Sequence, residues 1–278
     1  MAARRRVSEP SPVRLSARRI RAIFRRHAYL LLASWPRLLE LVYWPSVQML
    51  LWGYLTLFLQ EQSGLVARAG GLFLSAVLLW DTLFRGQLGV AICFLEEMYA
   101  RHLGHLFVSP LRPWELLAAV FAISLVRVLI GVGGAALLAV PIFGFVLPRA
   151  LGWALLPYFA VLLAFGWAIG LVIVGLVLRL GLAAENLAWG AIFLVQPISG
   201  VYYPIATLPS WLQPVAWLLP SSAVFEGMRT VLIEGRFDLG LLAWAVAMLG
   251  LWLTGGALAF LALFRAARRR GLLLQVGE

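Results

Sequence analysis

Lysine occurs nowhere in the 278 residues. A P-loop requires one, because its ammonium sits on the phosphates in G-x-x-x-x-G-K-[ST]. The chain therefore carries no ATP-hydrolysing motif of that kind, and ATP-driven work would draw on a partner. Cysteine occurs once, at Cys93 in an apolar run. That excludes an intramolecular disulfide and a thiolate metal cluster, and leaves the thiol a packing role. Histidine occurs three times, as His27, His102 and His105. The H-x-x-H of the last two lacks the i, i+4 spacing of helical metal sites, and no nearby carboxylate completes a set. No metal is expected. There is no G-x-S-x-G, and no acidic cluster at one membrane depth. An enzyme acting on lipids thus finds no acid–base or metal constellation, although that class and a non-transporting scaffold remain alternatives to a transporter.

Apolar residues are abundant. They make up 63% of the chain, with a mean hydropathy of +0.92, where soluble domains run near ~45–50%. The composition is that of a polytopic membrane protein. Six runs approach the roughly 20 residues a spanning helix needs: Leu41–Gln60, Gly70–Leu95, Leu116–Phe145, Leu151–Leu178, Leu187–Tyr203 and Leu239–Phe264. None alternates as barrel strands do, so the expected fold is all-α with six transmembrane helices. No cleaved signal peptide is expected, because the run at 28–33 is stopped by Trp35, Pro36 and Arg37.

The net charge of +11 is carried by arginine. With the N-terminus cytoplasmic, seventeen arginines fall on that side and four on the other, and Arg85 and Arg127 lie within spans. Cationic loops stay inside, so both termini are expected in the cytoplasm of a multi-pass protein of the plasma (inner) membrane. The arginines cluster beside apolar runs, which points to topology rather than nucleic acid. The expected organisation is a basic tail and interfacial helix over 1–38, a membrane domain over 39–266, and a cytoplasmic tail over 267–278. Residues 1–15, with Ser8, Pro10, Ser11 and Pro12, are expected to be disordered. Over 16–33, Ile20, Ile23, Phe24, His27 and Leu31 share one helical face and most arginines lie off it. That is the pattern of an amphipathic helix lying on an anionic leaflet.

Charges within spans are expensive and usually face the bundle interior. Asp81 and Arg85 are spaced i, i+4 and can pair on one helix. Arg127 has no acidic neighbour in sequence. A polar lining of a transport route and a structural pair between helices are both compatible with these residues. The small-residue runs Gly131–Ala139 and Gly166–Leu176 permit close helix approach.

Two segments are polar or broken where the rest is apolar. Over 95–109, Leu95, Tyr99, Leu103, Leu106 and Phe107 form a stripe, Glu97 and Arg101 pair at i, i+4, and Ser109-Pro110 with Arg112-Pro113 ends the pattern. The spacing predicts a short amphipathic helix on the cytoplasmic side. Over 196–236, Pro209, Pro214 and Pro220 leave pieces too short to span. This predicts short re-entrant helices from the far side, because irregular backbone at membrane depth must be buried in protein or line a wet cavity.

"FLEEMYARHLGHLFVSPLRPWELLAA" resembles the cytoplasmic loop of ABC-2 type transporter permeases, through Glu96 or Glu97, Leu106, Ser109, Pro110, Leu111, Glu115 and Leu116. "QPISGVYYPIATLPSWLQPVAWLLPSSAVFEGMRTVL" resembles the far-side signature of that family, through Ser199, Gly200, Pro204, Leu208, Pro209, Trp211, Leu212, Pro220, Glu226 and Arg229. The order of spans is similar too, with the multidrug and lipooligosaccharide exporters as the nearest branch. The resemblance implies a permease that dimerises and docks two cytoplasmic P-loop ATPase subunits, which hold the ATP and magnesium; no cofactor is implied for this chain. It makes 96–109 the coupling helix, with Glu96, Glu97, Tyr99, Arg101, Leu103, Leu106, Ser109 and Pro110 as contacts, and 199–229 a re-entrant far-side gate. Asp81 and Arg85 belong to no general pattern of the family.

Overall fold

The computed structural model describes residues 12–62, 70–99, 111–181 and 185–269. Among them there is helix and turn but no strand. The long elements are α1 (Pro12–Leu32), α2 (Trp35–Gln62), α3 (Gly70–Tyr99) and α4 (Pro113–Phe143). A short turn of helix, α5 (Leu147–Leu151), leads into α6 (Leu155–Leu180). Then come α7 (Glu185–Val195), α8 (Gln213–Trp217), α9 (Pro220–Arg229) and α10 (Leu239–Arg269). α9 runs on into a π-helical turn, Thr230–Glu234.

Four segments are long and apolar enough to cross a membrane: Gly71–Tyr99, Pro113–Phe143, Leu147–Leu180 and Leu239–Arg269. They match four of the six expected spans. α2 has the length, 28 residues, but Arg37, Glu40, Gln48 and Gln60 lower its hydropathy. The expected fifth span is helical only over Glu185–Val195. Its 11 residues reach about 16 Å, against a hydrocarbon core of about 30 Å. Pro197 lacks the N–H a continuing helix would use, and Gly200 turns the chain at φ +62°.

α3 and α6 form the centre, and α10 lies on the outside with most of its apolar length uncovered. Glycine brings the central pair together. A Cβ on Gly166 would meet the Leu83 carbonyl oxygen at 2.6 Å and the Gln87 nitrogen at 2.8 Å. Any larger residue would force α3 and α6 apart. Gln87 also donates from Nε2 to the Ala188 carbonyl at 2.9 Å, which ties α7 to the buried face of α3. Ser124 of α4 donates to the Gly86 carbonyl at 3.1 Å and accepts from Trp167 Nε1 of α6 at 3.2 Å.

α4 starts at Pro113, where a missing N–H leaves nothing unsatisfied. Glu115 in its first turn accepts the Arg112 backbone N–H at 2.9 Å and a hydroxyl bond from Ser16. Arg19 lies 3.5 Å away. Those contacts seat α1 on the start of α4. The face expected to lie on lipid instead turns partly to protein: Ile23, Phe24 and Ala28 pack on a core that includes Phe94, Leu116 and Phe264, and His27 and Leu31 are buried. Arg18, Arg21 and Arg25 stay exposed.

Candidate functional site: a cavity between α2, α3 and α7

A cavity of about 530 Å³ opens between α2, α3 and α7. α3 supplies its polar wall because Trp80, Asp81, Phe84, Arg85, Leu88, Ile92 and Glu96 recur at helical spacing along one face. Asp81 and Arg85 form the pair expected from their spacing, Nε to Oδ2 at 2.6 Å, both buried. Gly131 of α4 makes room for it, since a Cβ there would meet Arg85 Cδ and Nε at 3.0 Å and the Leu41 carbonyl oxygen at 2.7 Å. The pair lies within one helix rather than between two, and it lines the cavity.

At the α1 end the cavity floor is a charge cluster that joins four helices. Glu96 of α3 receives Arg127 of α4 at 3.3 Å and Arg37 of α2 at 3.2 Å. His27 of α1 is fully buried between two carboxylates. Its Nδ1 lies 3.6 Å from Glu96 and its Nε2 3.5 Å from Glu97. Glu97 also holds Arg26 of α1 at 3.0 Å. Arg127 therefore has a partner 31 residues away, on another helix. His27, Cys93 and Glu96 place ligand-type atoms within 4.8 Å of one another. Arg26, Arg37 and Arg127 already outweigh Glu96 and Glu97 there, so a divalent cation would enter an electropositive pocket. The cluster is an ion-pair hub.

At the other end, Tyr202 stacks on Trp52 with centroids 4.1 Å apart, and Trp52 on Phe73 at 5.8 Å. Gln196 donates to the Tyr202 hydroxyl at 3.1 Å. Behind this stack one side chain organises the turn after α7. Arg229 of α9 donates to the carbonyls of Gly200, Val201 at 3.2 Å and Tyr203 at 2.8 Å. Glu226 lies 3.3 Å from Arg229 and accepts the Ile205 N–H at 2.6 Å. Ser199 and Ser221 share a hydrogen bond at 2.9 Å. Two indoles of α10 reach across, Trp244 to the Trp217 carbonyl and Trp252 to the Leu218 carbonyl, each at 2.9 Å.

The model of the ABC-2 type transporter family matches residues 15–233. The chain belongs to that family. No curated protein matches it. The match takes in α1, the cavity and the Arg229 turn, and stops at the π turn before α10. An ABC-2 chain is a transport membrane subunit, and the family normally pairs with an ABC ATPase.

The residues expected from sequence separate into three groups in this ABC-2 chain. Ser199, Gly200, Glu226 and Arg229 meet at the turn after α7, with Glu226 half-buried and Pro220 buried at the start of α9, while Pro204, Pro209 and Trp211 are exposed, Trp211 at 72%. Leu95–Tyr99, the start of the expected coupling helix, continue α3 without a break. Glu96 and Glu97 point into the charge cluster, and Tyr99 is exposed. Arg101, Leu103, Leu106, Ser109 and Pro110 lie outside the described residues, as do His102 and His105, the tail 1–11 and residues 270–278. The sequence reading missed Glu40, which lines the cavity with Trp44 and Gln48. Their i, i+4, i+8 spacing was the available signal. It also took His27 for part of an apolar face.

Proposed function

We propose that the chain is the membrane half of an ATP-driven exporter. It pairs with a second permease copy, is worked by two copies of a cytoplasmic P-loop ATPase, and moves an amphipathic substrate (a lipid, glycolipid, lipid-linked saccharide or hydrophobic drug) outward across the plasma (inner) membrane, with both termini in the cytoplasm. ATP and magnesium belong to the ATPase. The observation that carries this reading is the course of α3. One continuous helix forms the polar wall of the cavity and runs on to Tyr99, through Glu96 and Glu97, where the family's loop pattern opens. Force applied to residues 100–110 has a rigid path to the cavity wall. The clamp of Glu96 and Glu97 to α1, α2 and α4 makes the four helices move as a unit. At the far end, the Arg229 turn and the Tyr202–Trp52 stack act as the outer gate, with α7, α8 and α9 as re-entrant pieces.

Co-expression with a candidate cytoplasmic P-loop ATPase tests the reading. The expected result is a purified complex of two permease and two ATPase chains whose ATP turnover responds to amphiphiles. An ATPase that never associates would overturn it.

A further inference from the structure

We propose that the outward face of α1 is a binding strip for anionic phospholipid headgroups, with Arg18, Arg21 and Arg25 as the phosphate contacts. The proposal rests on the spans crossing a membrane and not on transport. α1 carries five arginines between residues 18 and 26, and the helix sorts them. Arg19 and Arg26 turn toward the bundle and are neutralised, by Glu115 at 3.5 Å and by Glu97 at 3.0 Å. Arg18, Arg21 and Arg25 recur at i, i+3 and i+7, away from the face that packs Ile23, Phe24 and Ala28 on protein. All three are exposed, and none has an ion pair among the described residues. Like charges a turn apart on a helix repel one another. An anion from outside the chain offsets that cost.

Depth decides which anion. Glu115 is the third residue of α4, and Glu97 is the third from the end of α3. α1 is thus fixed at the level where two spans leave the hydrocarbon, which is the headgroup layer. Arg18 and Arg25 stand next in sequence to the two arginines that make those contacts, and they share that level. Further along, the same face carries Tyr29 and Leu32, 70% and 63% exposed, and exposed Trp35 follows. Phenol and indole rings gather at membrane interfaces, and leucine is favoured among acyl chains. A guanidinium strip that passes into aromatic and aliphatic side chains fits a phospholipid, phosphate first and chains beyond. An acidic protein surface would answer the charge and not the apolar continuation. The pose reverses the one expected from sequence, since the arginine side of α1, rather than its apolar side, meets the lipid.

The test is the lipid selectivity of the full purified chain in phosphatidylcholine vesicles, without an ATPase, so failure here leaves the permease reading to its own test above. Trace spin-labelled lipids, read by electron spin resonance, report which headgroup associates with the protein. Phosphatidylglycerol should associate at least about threefold more strongly than phosphatidylcholine, and salt near ~1 M should remove most of the preference. Arg18→Gln, Arg21→Gln and Arg25→Gln together should lower the preference at least about twofold. Arg18→Lys, Arg21→Lys and Arg25→Lys together should keep it. Arg236→Gln, at an exposed position beyond the π turn, should change nothing. Amide exchange over residues 18–32 should slow when phosphatidylglycerol replaces part of the phosphatidylcholine, in the natural chain and not in the glutamine variant, with protection in α6 reporting that the variant folds. No preference for phosphatidylglycerol, or a preference unmoved by the three glutamines, would overturn the proposal. So would exchange in α1 that slows with an added ATPase subunit and not with the anionic lipid.

Discussion

At the scale of single residues, the buried charges Asp81, Arg85, Glu97, Glu115, Arg127 and Arg229 each lie in an ion pair, and the pairing decides what each substitution does. Asp81 and Arg85 are both buried. Removing one leaves an uncompensated charge, while removing both leaves an apolar contact. Arg85→Leu should therefore cost about 3–5 kcal/mol, and Asp81→Leu with Arg85→Leu should recover most of that loss. Thermal unfolding in micelles, read as a double-mutant cycle, measures it. A double variant no more stable than the single would mean that the pair does not compensate itself. Arg229 carries a heavier assignment, since three carbonyls and Glu226 depend on it. Arg229→Met should raise amide hydrogen exchange across 199–206 by about tenfold or more and leave the core of α6 unchanged. Unchanged exchange in that turn would contradict its role.

At the scale of elements, the joint between α1 and α3 is made by charged side chains. α1 is held at its two ends by different helices, through Ser16 and Arg19 on Glu115 and through Arg26 and His27 on Glu96 and Glu97. Glu97→Gln removes the charge that holds Arg26. Exchange along the second half of α1 should rise while α6 stays protected, and stimulation of the ATPase by substrate should fall. Unaltered exchange in α1 would show the clamp to be idle. The sequence made the elements legible where one local rule dominated. The long apolar runs located α3, α4, α6 and α10, but Leu187–Tyr203 reads as one span through Pro197 and Gly200, and the helix there stops at Val195. The Asp81–Arg85 pair was legible because both partners lie on one helix. The Glu96–Arg127 and His27–Glu97 contacts were not, because they depend on how separate helices are rotated and staggered. Glu40 was missed for a related reason: a carboxylate near the end of a span reads as an interfacial charge until its neighbours across the cavity are known.

At the scale of the whole molecule, the chain belongs to a family that normally pairs with an ABC ATPase, and on the proposed reading α3 carries the partner's motion to the cavity. The cavity wall, the ion-pair hub and the entry to residues 100–110 all lie on that helix. The most direct test is transport itself. In inside-out membrane vesicles holding the chain and its ATPase, a labelled member of a panel of amphipathic lipids and drugs should accumulate in the lumen with ATP. It should fail to do so with a non-hydrolysable analogue, and Glu97→Gln should reduce the rate several-fold. An assembled complex that hydrolyses ATP yet moves no member of the panel would contradict the account.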